Sequence, residues 1–394
     1  MRVSAWQVLI GILLVAQALS WQSDIFFAFS ELYWLVMGTS VLCFFVGYWS
    51  ISWIFLKSGG GRLFYFFTSL SLPDESAHKT FLAMFWLFFS LGVLNRFLMF
   101  GPTFFMPDIV MQYRISVVME DAENVIKGLS LGNFFLFMMP TYIIAYRDRF
   151  GAMTLAVVVV AVLFNVYLSS GRSILFVSAL SAFYFWVLPK KINVNSALHI
   201  SLLILTLFYG FELIGQVVGK ATDELSFIVY AAAPLHAFDA LLGGEGTLDG
   251  YFLSFAPVQS IIANFFKFTP PTDLPNVLTP LPTNVYTMFG VYYTDYGMVG
   301  LFIVMALIGF FSGTLHKIYL RTGNGLLRIW TAINMTILTL SIFYDYYTTS
   351  GVIWMSFILS IFFFSNRVDF ARSKRVRNKS SDETGADFSR AKIT

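Results

Sequence analysis

Residues 269–300 read TPPTDLPNVLTPLPTNVYTMFGVYYTDYGMVG, and five of the chain's twelve prolines (Pro270, Pro271, Pro275, Pro280 and Pro282) fall within the thirteen residues 270–282. Proline removes a backbone donor and breaks helices, and a bilayer offers no water to the backbone groups it frees. The stretch therefore cannot cross a membrane as a helix, and ordered loop outside the hydrocarbon is expected. It closes with Asn284, Tyr286, Tyr292, Tyr293 and Asp295, and a hydrophobic helix is predicted from 297 onward.

Outward from this loop the chain is apolar. Its 394 residues are 57% hydrophobic and only 12% charged, against about 25% charged in soluble domains. Mean hydropathy is +0.73. This is the composition of an all-α polytopic membrane protein. A net charge of +3 gives no reason to expect nucleic acid as a partner. The lone Cys43 forms no intrachain disulfide.

A spanning helix needs about 20 mostly apolar residues. Such runs predict helices at 4–21, 32–56, 80–100, 130–146, 151–168, 173–189, 197–219, 297–319, 329–345 and 350–366. The first run also mimics a secretory signal peptide, with Arg2 and an Ala16-Gln17-Ala18 pattern, and is read as an uncleaved first helix. Ten helices put both termini on one side. With that side cytoplasmic, 19 of the 25 basic residues fall in cytoplasmic segments, as the positive-inside rule requires. Residues 1–366 thus form a transmembrane domain with outer loops at 101–129 and 220–296, and the basic 367–394 is expected to be a disordered cytoplasmic tail near anionic lipid. In the first loop an apolar stripe from Met111 to Ile126 predicts a surface-lying amphipathic helix. In the second, 225–242 and 251–268 are read as interfacial or re-entrant helices. A spanning hairpin is disfavoured by Pro234, Pro257 and the acidic GGEGTLDG between them.

The basic residues on the outer side are the informative ones. Arg96 sits near the outer end of the third predicted helix, Arg172 lies in the tight SGRS turn, Arg114 belongs to the first outer loop, and Lys220 ends the seventh predicted helix. Together they suit a phosphate or diphosphate, which arginine grips with a planar fork. Taken singly, each is otherwise read as snorkelling to lipid phosphate or pairing with an acid, the two readings standing level for Arg172 and Arg96. Glu212 is an intramembrane carboxyl with Arg96 or Lys220 as possible partners. His236 and Asp239 are three residues apart, so on a helix they share a face. His236 is either a base for a hydroxyl or a structural histidine. No metal-ligand spacing and no phosphate-cradling glycine loop is present, so neither metal nor nucleotide is expected as a cofactor.

The SGRS turn at 170–173 and TNVYTMFGVYYTDYGMVG at 283–300, in a chain of about ten helices with a long late outer loop, resemble the bacterial oligosaccharide repeat unit polymerases, the Wzy-type O-antigen and capsule polymerases. The resemblance implies a metal-independent, GT-C-like membrane glycosyltransferase in the inner membrane. Its substrate would be an undecaprenyl-diphosphate-linked oligosaccharide, with a flippase and a chain-length regulator as partners. It implies Arg172, Arg96, Arg114 and Lys220 as diphosphate ligands, and His236, Asp239 or Asp295 as the acid–base group. Asn284, Tyr286, Tyr292 and Tyr293 would contact sugar. An O-antigen ligase and a flippase or transporter for the same lipid-linked oligosaccharide are the alternatives.

Overall fold

The computed structural model describes residues 3–22, 26–54, 74–110, 112, 130–169, 172–190, 226–245, 252–266, 277–279, 281–283 and 285–364. Its helices are α1 (Ala5–Gln22), α2 (Glu31–Ile54), α3 (Asp74–Phe100), α4 (Ser130–Ala145), α5 (Ala152–Ser169), α6 (Arg172–Val187), α7 (Ser226–Leu242) and α8 (Ala256–Phe266). After a hairpin of β1 (Val277–Thr279) and β2 (Leu281–Thr283) come α9 (Met288–Thr322), α10 (Gly325–Leu340), the single turn α11 (Tyr346–Thr349) and α12 (Gly351–Phe363). The predicted helix at 197–219, most of the predicted amphipathic helix and the basic tail lie outside the described residues.

The molecule is a helical bundle consistent with a membrane protein. Glu31–Ile51, Glu75–Thr103 and Met288–Thr322 are long and apolar enough to cross a bilayer, and six further apolar helices are shorter. The outward face of α2 carries exposed Leu35, Leu42, Val46 and Trp49. In water such a stripe would be a liability, but against lipid it is the expected surface.

Helix ends follow local chemistry. Thr287 caps α9 by accepting the Gly290 N–H at 3.2 Å, and Asn324 caps α10 by accepting from Leu326 and Leu327. Gly323 at φ 67° closes α9 in the left-handed region, where only glycine is at ease. The helix expected to begin at 297 begins at Met288. Residues 288–296 contain no proline, and Thr287 supplies the cap. The break at 297 is instead a kink, with Gly297 at φ 66° and ψ −173°. Tyr292, Tyr293 and Asp295, expected in loop, therefore stand on a short helical arm above the kink. The proline-rich stretch is also not all loop: Val277 pairs Thr283 and Thr279 pairs Leu281 around Pro280.

Two cores meet on α10. One joins α3, α4, α5, α6 and α12 with the end of α9, and the other joins α1, α2 and α7 with the start of α9. From Thr331 to Leu340 every residue of α10 is buried. α2 and α9 run side by side in the same direction with almost no space between backbones. A Cβ on Gly47 would meet the Ala306 carbonyl, one on Gly309 the Phe44 carbonyl, and one on Gly313 the Tyr48 carbonyl. Small residues four apart are what allow helices to approach so closely in lipid.

Contacts also sort the helix ends into two sets. At one end His78 hydrogen-bonds and stacks on Tyr142 with Tyr146 tilted beside it, Arg328 donates to the Phe185 carbonyl, and Lys317 lies over Tyr48. At the other end the C-terminus of α1 meets α7 and the start of α2, beside the first arm of α9.

Candidate functional site

The arm of α9 gathers four parts of the chain that are distant in sequence. Phe238 of α7 packs on Phe289 and Tyr293 at ring centroid distances of 6.2 Å each. Val277 of β1 and Tyr286 are buried against Ala237 and Leu241 of α7. The Asp295 carboxylate accepts the backbone N–H groups of Leu253 at 2.8 Å and Ser254 at 2.5 Å. The Met288 N–H donates to the Ser341 carbonyl at the end of α10. His236, Asp239, Tyr286, Tyr292, Tyr293 and Asp295 are thus brought into one assembly.

His236 is the group best placed for proton transfer. Its ring lies between Phe26, 4.6 Å away and inclined by 4°, and Phe29, 4.2 Å away and inclined by 10°. Its Nε2 is 2.7 Å from Ser20 Oγ at the end of α1. Burial pushes the imidazole below its ordinary value, and the charge of Asp239 draws it partly back up. The ring is therefore neutral near pH 7 and able to take a proton. Asp239 is engaged elsewhere: it accepts the Ser30 N–H at 3.0 Å and the Ser30 hydroxyl, tying α7 to the start of α2. Asp295 is likewise occupied as a brace for the turn before α8. Both carboxylates brace the assembly, whereas His236 is bonded through Nε2 to the Ser20 hydroxyl.

Asp345 is a carboxyl that the sequence reading passed over. It is fully buried in the link between α10 and α12, where it accepts the Tyr292 hydroxyl at 2.8 Å, the Tyr347 N–H at 2.9 Å and the Thr348 hydroxyl. From there a polar chain runs inward. The Tyr347 hydroxyl donates to Asn334 Oδ1 at 2.7 Å, and Asn334 Nδ2 donates to Ser312 Oγ at 3.0 Å. The available signal was an acid inside the apolar run SIFYDYYTTS, the same kind of signal that selected Arg96.

Arg96 is buried and donates to the Leu168 carbonyl at the end of α5. Leu168 precedes Arg172 by four residues, and Arg172 opens α6. Arg96 is thereby brought to the SGRS turn. The side chain of Arg172, all of Arg114, Lys220 and Asn284, and Glu212 lie outside the described residues. Ser20, Phe26, Phe29 and Ser30 carried no sequence signal, because what distinguishes them is proximity to a residue more than 200 positions away. Among the described residues no three His, Cys, Asp or Glu side chains gather as a metal set. No known protein family, curated protein or solved structure matches the chain.

Proposed function

We propose that the chain is a metal-independent membrane glycosyltransferase that joins undecaprenyl-diphosphate-linked oligosaccharide repeat units into O-antigen or capsular polysaccharide. In this reading it lies in the bacterial inner membrane with both termini cytoplasmic, and the α7–α9 assembly faces the periplasm. The observation that carries it is the packing of His236 and the TNVYT-to-DYG segment into one aromatic-rich cluster at a single end of the bundle.

The chemistry suits these residues. The acceptor sugar hydroxyl attacks the anomeric carbon of the growing glycan, the C–O bond to phosphate breaks, and the diphosphate leaves with the electron pair. A base for the hydroxyl is needed, and His236 is neutral and shielded. A diphosphate leaving group needs positive charge more than acid, and Arg96 with Arg172 supplies it. Of the tyrosines expected to contact sugar, Tyr293 keeps exposed surface for it, while Tyr286 and Tyr292 are buried and support the arm instead.

A second reading, a transporter for the same lipid-linked oligosaccharide, draws on the buried chain from Asp345 to Ser312, since polar groups in a bundle interior mark transport paths in many membrane proteins. One experiment separates the readings. The purified protein in liposomes is given the lipid-linked oligosaccharide that accumulates in source cells deleted for this chain. A ladder of products is expected. Transfer only to lipid A core makes the chain a ligase, and translocation without new bonds makes it a transporter; either result overturns the polymerase.

A further inference from the structure

The two faces of the His236 ring are covered by Phe26 and Phe29, so only its edge can exchange protons. On that edge Nε2 is occupied by the Ser20 hydroxyl at 2.7 Å. Nε2 and the Ser20 hydroxyl share one hydrogen in this bond; when the hydroxyl donates, Nδ1 carries the ring hydrogen, and this is the tautomer the relay requires. A histidine in this tautomer cannot take a substrate proton at Nδ1. It can take one at Nε2 only by way of Ser20.

Resting on the polymerase reading, we propose that Ser20 is a proton relay: the acceptor sugar hydroxyl gives its proton to Ser20 Oγ while Ser20 passes its own proton to His236 Nε2. Atoms and charge balance. The acceptor oxygen forms its bond to the anomeric carbon, the diphosphate leaves with the electron pair of the broken bond, and His236 ends as an imidazolium. Three features stabilise that cation once formed: the π faces of Phe26 and Phe29, the nearby Asp239 carboxylate, and the carbonyl end of α1, where Ser20 lies in the last turn of Ala5–Gln22. Ser30 holds Asp239 in place from the other helix. The first helix is thereby part of the catalytic apparatus as well as a membrane element.

The test uses full-length protein in liposomes with the accumulated lipid-linked oligosaccharide described above. Ser20→Ala is expected to lower kcat about 100-fold, the scale of general base catalysis, with KM unchanged. Ser20→Thr, which keeps the hydroxyl, should restore most of the rate. His236→Gln should cost as much as Ser20→Ala, and the double variant no more than either, because the two act as one unit. 15N spectra of histidine-labelled wild type should show Nδ1 protonated and Nε2 bare. A wild-type ladder with full activity in Ser20→Ala overturns the relay but leaves the polymerase standing. Additive losses, a protonated Nε2, or a glycan covalently trapped on Ser20 also overturn it. A wild type that makes no ladder overturns the polymerase reading and the relay with it. Size-exclusion profiles of the variants distinguish lost chemistry from lost folding.

Discussion

Asp345 is held by hydroxyl and amide donors and has no basic partner among the described residues, and its burial raises the carboxyl above the ordinary carboxylate range. The folded state therefore favours the neutral form. The resulting stability is complete below the unfolded value of about 3.9 and is lost as pH rises through the higher folded value. Wild-type protein is expected to lose thermal stability from about pH 4 to about pH 6 and to level off above it, and Asp345→Asn to show a much flatter dependence over that window. Equal slopes in a melting series would remove Asp345 as the source. Arg172 is the residue on which the diphosphate role turns. Arg172→Ala is expected to reduce the product ladder about 100-fold or more, in line with loss of one preorganised charge-stabilising donor. Arg172→Lys should recover only part, since a point charge replaces a planar fork. An unchanged ladder in Arg172→Ala would end the proposed role.

The pair of α2 and α9 is the element on which the arm is mounted. Gly309 packs against the Phe44 carbonyl and Gly313 against that of Tyr48. These are backbone atoms that cannot turn aside as a flexible side chain would. Gly309→Val is therefore expected to force the helices apart, at a cost of at least the ~1–3 kcal/mol typical of overpacking, and to lower both melting temperature and yield of monodisperse protein. Gly11→Val is the control, because nothing lies within 4 Å of a Cβ built there. If both variants melt like wild type, the close approach is not what holds the pair. Above this contact, Gly297 turns the arm away from the span, so that Tyr292 meets Asp345 and Asp295 meets the 253–254 turn.

At the scale of the whole molecule, the two sets of helix ends make the proposed orientation testable. Arg147 and Glu245 are both exposed, the first near the end that holds His78 and Tyr146, the second just beyond α7. In a Cys43→Ser background, Glu245→Cys is expected to react with a membrane-impermeant maleimide added to spheroplasts, and Arg147→Cys only after the membrane is opened. Reaction of both from the same side would overturn the topology. The bundle also assigns a place to each core. The one under α7 and the arm supports the candidate site, while the one around α3, α4 and α6 supports the Arg96 junction, and α10 links them.

The helices of this protein were legible in the sequence because their causes are local. Apolar runs of spanning length marked 32–56 and 130–146 within a few residues of α2 and α4. The one large error of boundary, 297 for Met288, came from weighing hydropathy above the Thr287 cap and the absence of proline. The closeness of α2 to α9 was also written in Gly309 and Gly313, four apart, though only the partner helix gives that spacing its meaning. The candidate site was legible in part: His236 and Asp295 stood out as polar groups in a late loop. That Asp295 and Asp239 are consumed as braces, that Asp345 closes on Tyr292, and that Ser20 reaches His236 across 216 positions were decided by tertiary structure alone. Hydrogen bonds between residues so far apart leave no pattern in a single chain, because the geometry that creates them exists only once the helices have packed.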